Sequence, residues 1–411
     1  MKKLWSHKPA DTTYGVILEI GSGSILASIV ASNPTNAHPD IIWSTREFAI
    51  LKSSYTFDQN LKSLLTALMN VMMTLESEGY NVLREYAPHA RVSALQVSIS
   101  APWAYTISKI IEYRNDDAFT ISSDLIENLV KKANDSTMEV LHENESQNHS
   151  QISVMTRATT DITANGYRTM NPIGQKANSI SLTQVSAVAQ TLITSAITDN
   201  QERILPHCTV ERYSTMLIFH YTIKELYPTM TEYCLVDLTY EATEIAIVRE
   251  GVLHYSTHAA AGLNTIVRNI ADKLEIPEAD ARTLLKTVYT EDSLEKLSTK
   301  EKNVVEAIFK SYQDTLEDLF HETGDSLSIP RLVFLHGSFQ HEQFFDDYVS
   351  AAAKAATGSV HTIHTVSHDL LSNLYSDEDR AKILEKTIDT SILMGAQFFH
   401  KKFAQGEFIQ M

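Results

Sequence analysis

Apolar residues fall in two rhythms along this chain: short runs closed by turn residues, and longer stretches spaced by three and four. The most informative region runs from Glu232 to Ile266. Residues 234–236 are apolar and end on Asp237, residues 239–241 form a polar turn, and residues 245–248 are apolar again. Arg249-Glu250-Gly251 then reads as a hairpin turn into a third strand. A helix is predicted from about Asn264, with Ile266, Val267, Ile270, Ala271 and Leu274 on one face. Residues 15–31 repeat the design: an apolar strand reaching Glu19, the turn Gly21-Ser22-Gly23-Ser24, and a second apolar strand. Two acid-tipped hairpins of one kind suggest a duplicated architecture.

The same patterns predict a strand at 41–51, a helix at 61–75 and a strand at 95–99. A helix runs from the Ser122-Ser123-Asp124 cap to about Leu141, with a loop at 143–151. A strand at 152–162 meets the turn Asn165-Gly166. A second turn, Asn171-Pro172-Ile173-Gly174, leads to a strand at 177–182. Helices are expected at 184–196, at 210–227 with Glu211 near its start, at 278–289 and at 300–320. A buried strand at 332–335 ends at His336-Gly337-Ser338. Beyond it come a helix at 346–355, a strand at 360–365 and a closing helix at 387–401. Strand triplets alternating with helices indicate an α/β class with mixed sheets.

Composition narrows the function. A chain of 411 residues has room for two or more domains. Its net charge of -17 sets nucleic acid aside as a partner. Cys208 and Cys234 both lie in apolar surroundings and support neither a disulfide framework nor a zinc site. No apolar run is long enough for a transmembrane helix, and Met1-Lys2-Lys3-Leu4-Trp5 turns polar too soon for a signal peptide. An acid at the tip of a buried strand before a tight turn can hold a metal-bound phosphate, which makes Asp237 and Glu19 candidates. The alternative for both is a structural hairpin with a strand-end acid. His336 reads as a satisfied or surface histidine, since one His makes no metal site. The cluster Met69, Met72, Met73 reads as core.

The order of these pieces resembles the actin-like ATPase superfamily, and within it the FtsA and PilM family. Glu19-Ile20-Gly21-Ser22-Gly23 resembles that family's first phosphate loop, and Asp237-Leu238-Thr239-Tyr240-Glu241-Ala242 its second. Ala261-Gly262 resembles its later Gly-Gly turn, and His336-Gly337-Ser338 its adenosine motif. The segment from Asn165-Gly166 to Asn171-Pro172-Ile173-Gly174 resembles part of the strand-helix-strand-strand subdomain inserted in FtsA. The resemblance implies a two-lobed, duplicated ribonuclease-H-like α/β fold with a small inserted α+β subdomain. Its segments are a first-lobe core at 14–91, the insert at 92–180 and the first lobe again at 181–229. The second-lobe core follows at 230–270, its helical subdomain at 271–329, its continuation at 330–386 and a closing helix at 387–405.

ATP with magnesium is the implied cofactor. Glu19, Gly21, Ser22, Asp237, Thr239, Gly262, Gly337 and Ser338 would line its site, with Asp237 and Glu19 toward the metal. Glu211 resembles the Glu at the start of the family's connecting helix, which helps place water, and is the one catalytic candidate; the alternative for it is a solvated helix acid. This sequence departs from the pattern at Tyr240 and Glu241, where family glycines let backbone N–H groups approach the phosphates. A Glu carboxylate about 5 Å from a phosphate charge would cost roughly 3 kcal/mol per charge pair at an effective dielectric of about 20. Glu19 replaces an Asp, Ser24 stands where a Lys is frequent, and of the adenosine glycines Gly337 remains.

The resemblance implies a cytoplasmic scaffold at the inner face of the membrane, with weak or lost ATP binding. Its partners would be cell-division or pilus proteins, with self-polymerisation possible and the membrane reached only through a partner. The end Gly406 to Met411 is too short for the FtsA membrane helix, which favours a PilM-like role. The Asn-Pro-X-Gly segment favours an FtsA-like one. The alternative function is an active magnesium-dependent ATPase or phosphotransferase of the same fold.

Overall fold

Two five-stranded sheets share one topology. The computed structural model describes residues 12–52, 56–148, 151–291, 294, 297–323, 329–337, 342–375, 380 and 388–405. Its strands are β1 (Thr13–Ile20), β2 (Ser24–Ser32), β3 (Asp40–Phe48), β4 (Val92–Ile99), β5 (Ala104–Thr120), β6 (Ile152–Ala164) and β7 (Tyr167–Arg168). They continue with β8 (Lys176–Gln190), β9 (Thr209–Ser214), β10 (Tyr233–Leu238), β11 (Thr243–Arg249), β12 (Val252–Ala259), β13 (Leu332–Gly337) and β14 (Thr362–Thr365). The first sheet has the order β3-β2-β1-β4-β9 and the second β12-β11-β10-β13-β14. In each, the two hairpin pairings are antiparallel and the two that follow are parallel. The duplication suggested by the two acid-tipped hairpins is thus present in the backbone.

One compact unit is drawn from Met1–Ile99, Ala196–Thr222 and Val366–Phe408, and holds the first sheet. Helix α1 (Phe57–Thr74) buries Leu61, Leu64, Leu68, Val71 and Met72 and begins with a reciprocal Thr56–Gln59 cap. Met69 and Met73 of the expected methionine core instead lie on its outer face, 46% and 56% exposed. The closing helix (Thr390–Gln405) brings Ala396 and Phe399 onto Ile17, Val30 and Ala94.

The other unit joins Ser100–Ser195 with Ile223–Thr365. Its core lies on one face of the second sheet, where Cys234, Val236, Leu238, Ile245, Ile247, Val333 and Leu335 meet the helices Leu263–Leu274, Thr299–Glu322 and Asp346–Thr357. A third sheet, β5-β8-β6-β7, belongs to this unit. The helix Ser123–Asn148 covers one of its faces through a cluster that includes Ile121, Leu129, Ile180 and Leu182. The third sheet is stitched to β12: Ser108 Oγ donates to Leu253 O and Ser256 Oγ to Thr106 O, both at 2.9 Å.

Several expected elements change. Residues 143–148 continue the preceding helix instead of forming a loop. Residues 184–190 are strand, because β8 pairs on both sides with β5 and β6 and that ladder overrides a pattern equally compatible with a helix. Residues 209–214 are also strand, paired in parallel with β4. The helix expected from Val210 therefore begins at Thr215. The sequence pattern gave no sign of β5. The expected insert boundaries at 92 and 180 fall inside β4 of the first sheet and inside β8. No helix among the described residues is long and apolar enough to cross a membrane.

Candidate functional site

Strand alternation decides where the candidate acid of the second sheet points. With Val236 and Leu238 on the helix-covered face, Asp237 projects from the other face. In register beside it, parallel β13 supplies His336 and antiparallel β11 supplies Glu244. Asp237 and His336 are almost wholly buried, and Asp237 Oδ1 lies 2.8 Å from His336 Nδ1. An ionised carboxylate only accepts, so against it the ring nitrogen is the donor. Glu244 is buried, and its Oε1 has no hydrogen-bond partner among the described residues. Burial pushes its pKa well above the carboxylate range, and the neighbouring Asp237 charge adds to the rise.

The turn after Asp237 is closed by its own atoms. Thr239 N–H donates to Ala242 O at 2.9 Å, and Thr239 Oγ1 donates to the same carbonyl at 2.7 Å. At the start of the helix Leu263–Leu274, the amides of Leu263 and Asn264 donate to Thr239 O and Tyr240 O at 3.1 and 2.7 Å. Gly262 is required by this packing. A Cβ there would stand 2.5 Å from Thr239 O and 2.7 Å from Ala242 N. Glu241 turns onto the helix, where Arg268 and Asn264 hold its carboxylate.

The first turn follows a similar logic. Gly21 N–H donates to Ser24 O at 2.9 Å, and a Cβ on Gly21 would lie 2.9 Å from that oxygen. Ser22 and Glu19 are buried, with Glu19 in register beside Leu26 and Ser98. Ser24 Oγ accepts from Arg46 Nη1 at 2.7 Å, while the same guanidinium pairs with Asp389 Oδ1 at 2.5 Å.

Gly337 is the last residue of β13, paired with Leu238. Ser338 lies outside the described residues. Glu211 is mid-strand in β9, so the helix-start role expected of it has no structural basis. Its carboxylate pairs with the Lys402 ammonium and accepts from Tyr213 Oη at 3.1 Å.

A magnesium nucleotide would need Asp237 available as a ligand and open backbone amides in the turn that follows. Asp237 is buried against His336, and the turn amide of Thr239 and the two helix amides are engaged. These residues do not fit the group. Sequence reasoning had singled out both strand tips yet missed their pairing. It also missed Glu244, Arg268 and Asn264. Parallel strands ending at the same level were the signal for Asp237–His336, and the i, i+4 spacing of Asn264 and Arg268 was the signal for the Glu241 site.

Comparison with known proteins returned no matching family model and no matching curated protein. Among solved structures, the chain is similar to the PilM–PilN type IV pilus biogenesis complex, with TM-score 0.56 and 10% identity over 95% of this chain and 99% of that one. It also aligns with the ethanolamine utilization protein EutJ from Carboxydothermus hydrogenoformans, with TM-score 0.44 and 10% identity over 95% of this chain and 92% of that one. At such identity the likeness is one of fold, and the fold of this chain is that of the actin-like ATPases.

Proposed function

We propose that this chain is an actin-like assembly scaffold of the PilM or FtsA kind, acting through protein contacts, with ATP binding weak or lost. The observation that carries this reading is the second turn, where Thr239 N–H and the helix amides of Leu263 and Asn264 are engaged by turn carbonyls and the strand-tip acid is held by a histidine. In this reading the protein is cytoplasmic and reaches the inner face of a membrane through a partner from a pilus or division machine. The similar PilM structure was solved as a complex with PilN, which supports a protein partner.

A surface suited to such contacts lies on the third sheet. Tyr167, Met170 and Ile173 are 80%, 89% and 63% exposed on one tight segment. That segment is pinned: Arg168 pairs with Asp161 at 2.5 Å and donates to Glu250 O at 2.8 Å, and Gln175 Nε2 donates to Asn171 O at 2.7 Å. In this reading these three exposed apolar side chains form the contact surface.

The test combines sedimentation across a concentration series with ATP turnover in magnesium. The scaffold reading expects association that the triple variant Tyr167→Ser, Met170→Ser, Ile173→Ser loses, and no turnover above background. Magnesium-dependent turnover abolished by Asp237→Asn would replace the scaffold with an active ATPase.

A further inference from the structure

Glu241 stands where the family resemblance expects a glycine, and its carboxylate accepts three hydrogen bonds from two side chains. Arg268 Nη2 donates to Oε2 at 2.6 Å, Arg268 Nη1 to Oε1 at 3.1 Å, and Asn264 Nδ2 to Oε1 at 2.6 Å. Arg282 Nη2 donates to Asn264 Oδ1 at 2.8 Å, which turns the amide nitrogen of Asn264 toward the carboxylate. The Glu241 and Arg268 side chains are only 12% and 14% exposed. Burial pulls the Arg268 pKa down, but the hydrogen bond and charge of Glu241, with Glu278 and Asp272 beyond, more than reverse it and leave the guanidinium firmly charged. A guanidinium fork plus an amide N–H at the start of a helix is a donor set that suits a phosphate or sulfate as well as a carboxylate.

We infer that Glu241 is a built-in anion: its carboxylate fills an oxyanion pocket made by Arg268 and Asn264, and so holds the second turn closed without a ligand. The inference deepens the non-hydrolysing reading above and rests on it. In this account the turn has lost its dependence on nucleotide because the chain carries its own substitute. The pocket is hidden in the wild-type protein, and removing the carboxylate opens it to a small inorganic oxyanion.

Chemical rescue tests this. In chloride buffer, Glu241→Ala on the full chain is expected to melt about 5 °C below wild type, from loss of a mostly buried pair. Inorganic phosphate added at constant ionic strength is expected to restore the melting temperature saturably, and calorimetry should detect the same binding. Wild type and the double variant Glu241→Ala, Arg268→Ala should show neither effect. If Glu241→Ala does not fold in chloride, Glu241→Ser serves, since its short side chain also leaves the pocket open, and recovery of folded protein on adding phosphate is read in place of the melting shift. An unchanged melting temperature in the variant would overturn the inference. So would a phosphate effect no larger than in wild type, which would mean general salt stabilisation. ATP turnover by the wild-type chain would sink the scaffold reading independently of this result, and a failed rescue would leave the scaffold reading standing.

Discussion

His336 closes off Asp237. The two side chains meet across neighbouring parallel strands, Nδ1 to Oδ1 at 2.8 Å, with both groups nearly sealed from solvent. The acid that the sequence resemblance places toward a metal is therefore held in an internal pair. Removing one partner of a buried pair leaves the other charge uncompensated, a loss of about 3–5 kcal/mol. His336→Ala is expected to lower stability by about that amount in denaturant unfolding. Asp237→Asn, which keeps a polar partner for the ring, should cost less. The reverse order would mean that Asp237 does not depend on the imidazole.

Glu244 gives a pH signature of the same site. Its pKa is raised by burial and by the Asp237 charge. The folded chain thus keeps a proton that the unfolded chain loses near the ordinary value of 4.5. Stability falls as pH rises from there through the raised pKa, by about 1.4 kcal/mol per pH unit for one proton. Glu244→Gln removes that slope: the variant should match wild type below the ordinary value and exceed it at neutral pH. Burial lowers the pKa of His258, in register with Glu244 on β12, and of His361 on the next turn of chain before β14, which makes both lose stability in acid. Those terms are common to both proteins, so the difference between the two unfolding curves isolates Glu244. A flat difference across pH 4 to about 8 would show that Glu244 ionises normally.

Gly262→Ala tests the closed turn directly. The backbone at Gly262 is extended, with φ near -146°, so alanine brings no conformational strain. The added methyl would nonetheless meet backbone atoms of Thr239, Tyr240 and Ala242 within 2.8 Å, and none of these is a side chain that can swing away. A loss of about 3 kcal/mol is expected, the upper range for overpacking. Proteolysis should then cut first around residues 239–242. A neutral substitution would mean that the turn is looser than its hydrogen bonds indicate.

Sequence pattern exposed the two hairpins, their acids and the helix that follows the second, because period and turn chemistry are local. It could not choose strand over helix at 184–190 or 209–214, where pairing with β5, β6 and β4 decides the matter. The site was half visible for the same reason. Asp237 and His336 were both evident at strand tips, but their distance is set by a parallel register spanning 99 positions. Glu241 looked like a charge placed against a phosphate; its actual partners, Asn264 and Arg268, lie 23 and 27 residues on and are met only when the helix docks.

Glu211 provides the last discriminating measurement, since a family resemblance and the local structure assign it different roles. A water-positioning glutamate would sit at the start of the connecting helix and face a reacting phosphate. Glu211 instead lies within β9, ion-paired with Lys402 of the closing helix and hydrogen-bonded by Tyr213. Burial pushes the Tyr213 phenol far above its ordinary pKa, with the Glu211 charge adding to it, so Tyr213 stays a donor across the accessible pH range. Glu211 is 26% and Lys402 13% exposed, so solvent weakens the pair only in part, and Glu211→Ala should cost about 1–2 kcal/mol. Lys402→Ala should give a similar loss, and the double variant less than the sum, as expected of two residues sharing one contact. Additive losses would mean that the two side chains stabilise the fold separately, and a fall in ATP turnover without loss of stability would restore the catalytic role.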